Sequence, residues 1–184
     1  MVTVLIPLAE GCEELEAVTL IDILRRAEIQ VIAASLTQNL QITASRGVRL
    51  VADTTLEAVI ADEFDMVILP GGQPGTNNLN ADPRIHRLIK RLYNDGKWIG
   101  AICAAPIVLA QSGVLDGLKI SCYPGAIDGA EWPAIKLSNE AVVCDNKVIT
   151  SRGPGTAIAF ALMIIEKLMD ETTRRKVETG LVIR

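Results

Sequence analysis

The stretch Trp98-Ile99-Gly100-Ala101-Ile102-Cys103-Ala104-Ala105-Pro106 constrains this chain more than any other. Trp98 to Ile102 is an apolar, β-prone run. The two alanines and the proline after the cysteine suit the first turn of a helix, where a missing backbone N–H costs little. The reading is strand, sharp turn, helix, with a thiol at the corner. At such a corner the side chain is pushed out at the carboxyl end of the sheet. The unpaired N–H groups of the helix start lie beside it, where they would stabilise a thiolate. This is the pattern of a nucleophile elbow. Against it stands packing, since free cysteine is among the most buried residue types and usually just fills space in apolar runs.

The flanking sequence alternates between strand and helix patterns. Val2 to Leu8 is a near-continuous apolar run, as expected of a strand buried on both faces of a parallel sheet. Glu13 to Arg26 reads as a helix with Leu15, Val18, Ile21 and Leu24 inward and acids in its first turn, where they favour the dipole. Val31 to Ser35 is the next strand, and Leu40 to Ser45 with Val48 to Val51 reads as a hairpin around Arg46-Gly47. Thr54-Thr55-Leu56-Glu57 has capping-box spacing and starts a short helix to Ala61. Met66 to Leu69 is a short buried strand that ends in Pro70-Gly71-Gly72-Gln73-Pro74-Gly75. Asp82-Pro83 caps a helix to Asn94, which Gly96 ends. After the elbow come a helix from Pro106 to Ser112, a strand from Lys119 to Cys122, and strands from Ala141 to Asp145 and Lys147 to Thr150. A loop from Ser151 to Gly155 leads into helices from Thr156 to Met169 and Glu171 to Thr179. This alternation predicts an α/β sandwich of three layers around a mostly parallel sheet with right-handed crossovers, in one domain over residues 1–184.

Composition narrows the partners. A chain of 184 residues with 49% apolar residues has enough core to fold without staples. A net charge of −4 with no basic stripe offers no footprint for nucleic acid or an anionic membrane, so a small molecule or a protein is the expected partner. The N-terminus lacks a basic segment and runs into Glu10, Glu13 and Glu14, so no signal peptide is expected. Residues 98–115 carry no charge, but Gly100, Pro106, Gln111, Ser112 and Gly113 interrupt them, short of the roughly 20 apolar residues a bilayer needs. Cys12, Cys103, Cys122 and Cys144 stand far apart with no C-x-x-C spacing, and His86 is the lone histidine. That is a poor metal set and reads as reduced thiols in a cytoplasmic protein, with no metal and no cofactor.

In open parallel sheets ligands bind outside the carboxyl ends of the strands, so the loops after Leu8, Leu69, Ile102, Cys122 and Thr150 matter. In the first of them, Glu13 and Glu16 stand one helical turn apart and can face the same side. A carboxyl group beside the cysteine could hydrogen-bond the sulfur, and burial would tend to keep it protonated. Glu14 and Glu10 read equally well as a solvated first turn. Gly71-Gly72 can bring backbone N–H groups close to a ligand oxygen and, with the N–H of Ala104, form an oxyanion hole, although a double glycine is often only a turn. His86 falls far from any strand end and reads as a surface residue, so no Cys-His dyad is visible.

Four ordered segments now resemble a known family: Gly11-Cys12-Glu13-Glu14-Leu15-Glu16-Ala17-Val18, Leu69-Pro70-Gly71-Gly72, Ala101-Ile102-Cys103-Ala104-Ala105-Pro106 and Thr150-Ser151-Arg152-Gly153-Pro154-Gly155-Thr156. They are similar, almost end to end, to the ThiJ/PfpI superfamily in its DJ-one and YajL-like branch. The resemblance implies a flavodoxin-like fold, a homodimer and a reactive Cys103 whose sulfur meets a protonated Glu16. It also implies that Gly71, Gly72 and Ala104 line an anion or carbonyl pocket, with Arg46 close by at the dimer interface. Glu13, Tyr123 and Pro154 complete the candidate pocket. The chain departs from other branches of the superfamily in having Ala104 where a histidine follows the nucleophile. It also has Tyr123 where some relatives carry a histidine, and a phenol with a pKa of about 10 is no base near neutral pH.

The first functional expectation is a glyoxalase or deglycase that protects against carbonyl and oxidative stress: the Cys103 thiolate adds to a small carbonyl such as methylglyoxal, or to its early adducts, while Glu16 shuttles the proton. The alternative is a redox-sensing, chaperone-like protein whose Cys103 is oxidised to a sulfinate. A cysteine peptidase or amidohydrolase is disfavoured by Ala104. Cys103 is expected to adopt a strained backbone conformation and to be the most acidic of the four thiols. Cys12 is its rival, and Cys122 and Cys144 are expected to be inert.

Overall fold

The strand and helix signals become real elements in the computed structural model, which describes residues 1–183. The first half contains β1 (Thr3–Leu8), α1 (Glu14–Arg26), β2 (Gln30–Ser35), β3 (Gln41–Thr43), β4 (Arg49–Val51), β5 (Thr54–Thr55), α2 (Leu56–Val59), β6 (Met66–Leu69), α3 (Gly75–Ala81) and α4 (Pro83–Asn94). The second half contains β7 (Trp98–Ile102), α5 (Pro106–Gln111), β8 (Lys119–Ser121), β9 (Lys136–Ser138), β10 (Val142–Asp145), β11 (Val148–Ser151), a 3₁₀ turn (Pro154–Thr156), α6 (Ala157–Leu168) and α7 (Glu171–Gly180).

Seven strands form the central sheet in the order β10-β11-β7-β6-β1-β2-β5, and within it only β10 runs antiparallel to its neighbour. The run β2-β1-β6-β7-β11 is the doubly wound order of flavodoxin-like folds, in which the carboxyl ends of the central strands form the ligand edge. Alternation along each strand sends residues to two cores. Val4, Ile6, Leu8, Met66, Ile68 and Ile102 face α1 and α6, while Leu5, Val67, Leu69, Ile99 and Ala101 face α4 and α5. Gly100 marks a close approach, since a Cβ there would lie 2.7 Å from Met66 Cε.

Asp82 caps α4 by accepting from the Arg84 N–H, with Pro83 at the first helical position, as its sequence indicates. The short helix after β5 is capped by Thr55 rather than Thr54. Two expectations are corrected. Leu15 and Val18 on α1 are half exposed, and the inward stripe is Glu14, Glu16, Ala17, Leu20, Ile23 and Leu24. Residues 75–81, between the Gly71-Gly72 loop and the Asp82 cap, form a further helix that the sequence pattern does not announce. The strand at Lys119 pairs in parallel with β9, outside the main sheet. Among the described residues no helix is long and apolar enough to cross a membrane.

Candidate active site

The corner after β7 is as sharp as the sequence demands. The strand ends at Ile102, Cys103 takes a φ of +63°, and α5 begins at Pro106. For a non-glycine residue that conformation costs on the order of 1–3 kcal/mol and persists only where neighbours over-determine it. Here they do. The Cys103 N–H donates to Ser151 O (3.0 Å) on β11, the Cys103 carbonyl accepts from the Tyr123 N–H (2.8 Å), and the Ala105 N–H closes the turn on Ile102 O (3.0 Å). The strain points the thiol out of the sheet edge, where Cys103 keeps 9% of its surface exposed.

Glu16, on the first turn of α1, is fully buried and faces that thiol. Its Oε2 accepts the Gly71 N–H at 2.7 Å, while its Oε1 is buried without a hydrogen-bond partner. Gly71 is glycine because a Cβ there would lie 2.6 Å from Cys103 Cβ and 2.9 Å from both Glu16 Oε2 and Ile102 O. Gly72 sits at φ +90°, and its missing Cβ would meet the Glu13 nitrogen at 2.4 Å. One expectation changes: the Gly71 N–H is spent on Glu16 and cannot serve an oxyanion hole. The N–H groups that reach the sulfur are those of Gly72 and Ala104.

The electrostatics also run against the expected acidity of the thiol. Burial pushes Cys103 up to about 12, the Glu16 carboxylate adds to the shift, and only the Gly72 and Ala104 N–H groups pull it down. Burial likewise lifts Glu16 to about 7, with Glu13 adding repulsion and the Gly71 N–H and Cys103 opposing. These two groups form one coupled acid. Its first proton leaves near 7 and the second is held far more tightly. The other thiols give no contrast in Cys103's favour. Burial, then the Glu14 charge, takes Cys12 to about 12, and burial raises Cys122 and Cys144.

The remaining acids of the loop do structural work that the sequence hid. Glu14 is buried, not solvated. Its carboxylate accepts the Arg46 N–H (3.0 Å), the Val48 N–H (3.4 Å) and the Ser45 hydroxyl (3.0 Å), so it pins the turn of the β3–β4 hairpin onto α1. Burial disfavours its charge, but these bonds outweigh burial and hold its pKa below the usual range. Glu13 accepts from the same Ser45 hydroxyl at 2.8 Å, and its N–H donates to Gly71 O at 2.9 Å. Arg46 therefore lies at the hairpin turn near the site, with its side chain exposed. Glu10 is exposed and accepts from the Thr43 N–H.

On the far side of the sulfur, Pro154 is half-buried and opens the 3₁₀ turn. Tyr123 is half exposed, with its ring beside Gly153. Gly153 escaped the sequence reading although it stands in the Ser151-to-Thr156 segment. His86 is not a free surface residue: its Nε2 lies 2.8 Å from Asn80 O and its Nδ1 2.8 Å from Ser112 Oγ, away from Cys103 on α4. Among the described residues no three His, Cys, Asp or Glu side chains are placed to hold a metal.

The arrangement is a strained thiol, a buried carboxyl and two convergent N–H groups, and the chain that carries it is similar over most of its length to proteins of known class. Protein dj-1beta of Drosophila melanogaster is 40% identical over 97% of this chain and 96% of its own length. A Caenorhabditis elegans protein named glutathione-independent glyoxalase DJR-1.2 is 38% identical over 86% of this chain and 84% of its own length. The structure of oxidised Toxoplasma gondii DJ-1 superposes with a TM-score of 0.92 at 36% identity, covering 99% of this chain and 98% of that one. With the family pattern matching residues 2–167, this chain belongs to the DJ-1/PfpI family.

Proposed function

We propose that this chain is a cysteine-dependent glyoxalase acting on small 2-oxoaldehydes such as methylglyoxal, in protection against carbonyl stress. The observation that carries the reading is the buried Glu16 carboxyl against the Cys103 thiol at the end of β7, and the glyoxalase name of the Caenorhabditis elegans relative supports it. Above pH 7 the proton that the pair retains sits on Cys103, and the Glu16 carboxylate takes it as the sulfur attacks, while the Gly72 and Ala104 N–H groups hold the developing thiolate. The sulfur adds to the aldehyde carbon. The C=O π pair moves to oxygen, which takes the proton from Glu16. The Glu16 carboxylate then removes the proton from that carbon, giving an enediolate, and returns it to the neighbouring carbon, while the hydroxyl proton of the first carbon passes to the neighbouring oxygen, leaving a 2-hydroxy thioester. Water hydrolyses the thioester to the 2-hydroxy acid; one proton returns to the sulfur through Glu16, and the acid's own proton leaves to solvent. Purified protein given methylglyoxal without glutathione should form lactate, and Cys103→Ser should form none. Absence of lactate from the unmodified chain refutes the reading.

The same N–H groups and carboxyl can hold a sulfinate, which favours the second reading: two equivalents of peroxide add two oxygen atoms to the Cys103 sulfur and leave two waters. Selective oxidation of Cys103 without turnover supports that reading against the first. The chain works as a homodimer in either case. Leu15 and Val18 on α1 and Val48 and Val51 on the hairpin are half to mostly exposed, on two elements that Glu14 ties together, and a second copy covers them. Light scattering at working concentration should give twice the chain mass, and a monomer removes this assignment.

A further inference from the structure

We propose that Gly153 sets the size of the electrophile that can reach Cys103, and that the space left by its missing side chain is a slot against the edge of the Tyr123 ring. The slot admits the unbranched end of a two- or three-carbon aldehyde. It rejects carbonyls that carry an aryl group or a polypeptide next to the reacting carbon. This inference rests on Cys103 as the nucleophile of the site.

Neither backbone conformation nor crowding requires a glycine there. Gly153 is extended, with φ 164° and ψ −168°, a conformation open to any residue. A Cβ built on it would lie 3.4 Å from Tyr123 Cδ2 and 4.0 Å from Cys103 Sγ, ordinary contact distances. The fold therefore has room for a methyl group, and the room lies directly over the sulfur. Gly71 and Gly72 differ, because an added Cβ at either would press on backbone within 3 Å.

The Gly153 backbone is held in place on both sides. The Gly153 N–H donates to Thr156 Oγ1 (3.1 Å), and its carbonyl accepts from the Thr156 N–H (2.9 Å). Thr156 Oγ1 also lies 2.6 Å from Ser151 Oγ, and Ser151 O accepts the Cys103 N–H, so Gly153 is tied to the same strand end that holds the elbow. Opposite it, Tyr123 is anchored through its N–H on the Cys103 carbonyl.

For the sulfur to add, the aldehyde carbon must come within roughly 3–3.5 Å of it. The S–C bond then forms while the C=O pair passes to oxygen and is protonated by Glu16. An atom at the Gly153 Cβ position, 4.0 Å from Sγ, competes for that approach. The small hydrogen of an aldehyde end fits beside the glycine, and a branched or aromatic substituent does not.

The test is the second-order rate of Cys103 alkylation, followed by mass spectrometry across pH, with iodoacetamide as the slim probe and N-phenylmaleimide as the bulky one. Gly153→Ala should slow the iodoacetamide reaction at least about tenfold, the scale on which one methylene discriminates in a pocket, without moving the pH midpoint of the rate or the melting temperature. Tyr123→Ala should speed the N-phenylmaleimide reaction by a similar factor and leave iodoacetamide unchanged. Wild-type rates in Gly153→Ala overturn the proposal. So does a rate loss that comes with a shifted midpoint, since the residue would then act on the charge of the sulfur rather than on its access. If the alkylation pattern holds but no variant makes lactate, the slot stands and the glyoxalase reading falls. If lactate forms equally fast in Gly153→Ala, the slot falls alone.

Discussion

Glu16→Gln should stabilise this protein, and by an amount that grows with pH. The buried carboxyl titrates near 7 in the folded chain against an ordinary 4.5, with burial the main cause. Below pH 4.5 both states hold the proton and the group contributes nothing. Between 4.5 and 7 the unfolded chain has lost a proton that the native chain keeps, so stability falls as pH rises, and above 7 the full penalty applies. At about 1.36 kcal/mol per pKa unit, that separation is worth roughly 3 kcal/mol. Glutamine keeps an acceptor for the Gly71 N–H at the same reach and cannot ionise. Urea unfolding of both proteins at pH 5, 6, 7 and 8, followed by circular dichroism, reads the difference. It should be small at pH 5 and approach roughly 3 kcal/mol in favour of Gln at pH 8. A difference that does not change with pH, or that grows as the pH falls, refutes the placement of this proton.

Gly71→Ala forces a Cβ to within 2.6 Å of Cys103 Cβ and 2.9 Å of Ile102 O, and overpacking of this kind costs about 1–3 kcal/mol; the melting temperature should fall and iodoacetamide labelling of Cys103 should change. Glu14→Ala strips the hairpin turn of the acceptor for two N–H groups and a hydroxyl. Hydrogen exchange at Arg46 and Val48 should accelerate, with a loss of about 1–3 kcal/mol in urea unfolding. Because those bonds favour the charged form of Glu14, the stability it supplies is present above its ordinary value and lost as the pH falls through its lower folded value. His86 has a carbonyl acceptor at Nε2, so ¹⁵N spectra of the single histidine should show a proton on Nε2, and His86→Ala should destabilise by about 1–3 kcal/mol by unbonding α3 from α4.

The parallel core was legible because its strands are buried on both faces and read as unbroken apolar runs: the strands Thr3–Leu8, Met66–Leu69 and Trp98–Ile102 lie within a residue of the bounds read from the sequence. Elements without that signal were not. The helix Gly75–Ala81 carries Gly75, Thr76, Asn77, Asn78 and Asn80, poor helix formers that tertiary contacts override. Likewise β5 is two residues long, and β9 has little apolar character to announce it. The start of α1 was misread for a different reason, although Leu24 faces inward as expected. A period-3.6 reading takes apolar residues as inward, but the helix start lies against the thiol and the hairpin, so its acids turn inward and Leu15 and Val18 turn out.

The start of α1 is where site and fold meet. Glu16 read no differently from Glu13 until the family resemblance singled it out, whereas Cys103 and the two glycines were readable, the first from an apolar strand that runs into a thiol before Ala-Ala-Pro and the others from a double glycine at a strand end. Glu14, Ser45 and Gly153 were not, since what matters in each is a contact made across 30 or more residues. The peptide of Gly71 shows why those contacts count. Its N–H holds Glu16, its carbonyl holds the N–H of Glu13, and Glu13 and Glu14 together grip Ser45 on the hairpin. The hairpin is therefore linked through Glu13, the residue before α1, and one glycine to the carboxyl that shares a proton with the sulfur. The exposed apolar faces of α1 and the hairpin lie on the two ends of that connection, so covering them with a second copy would fix the geometry of the acid pair as well as bury surface.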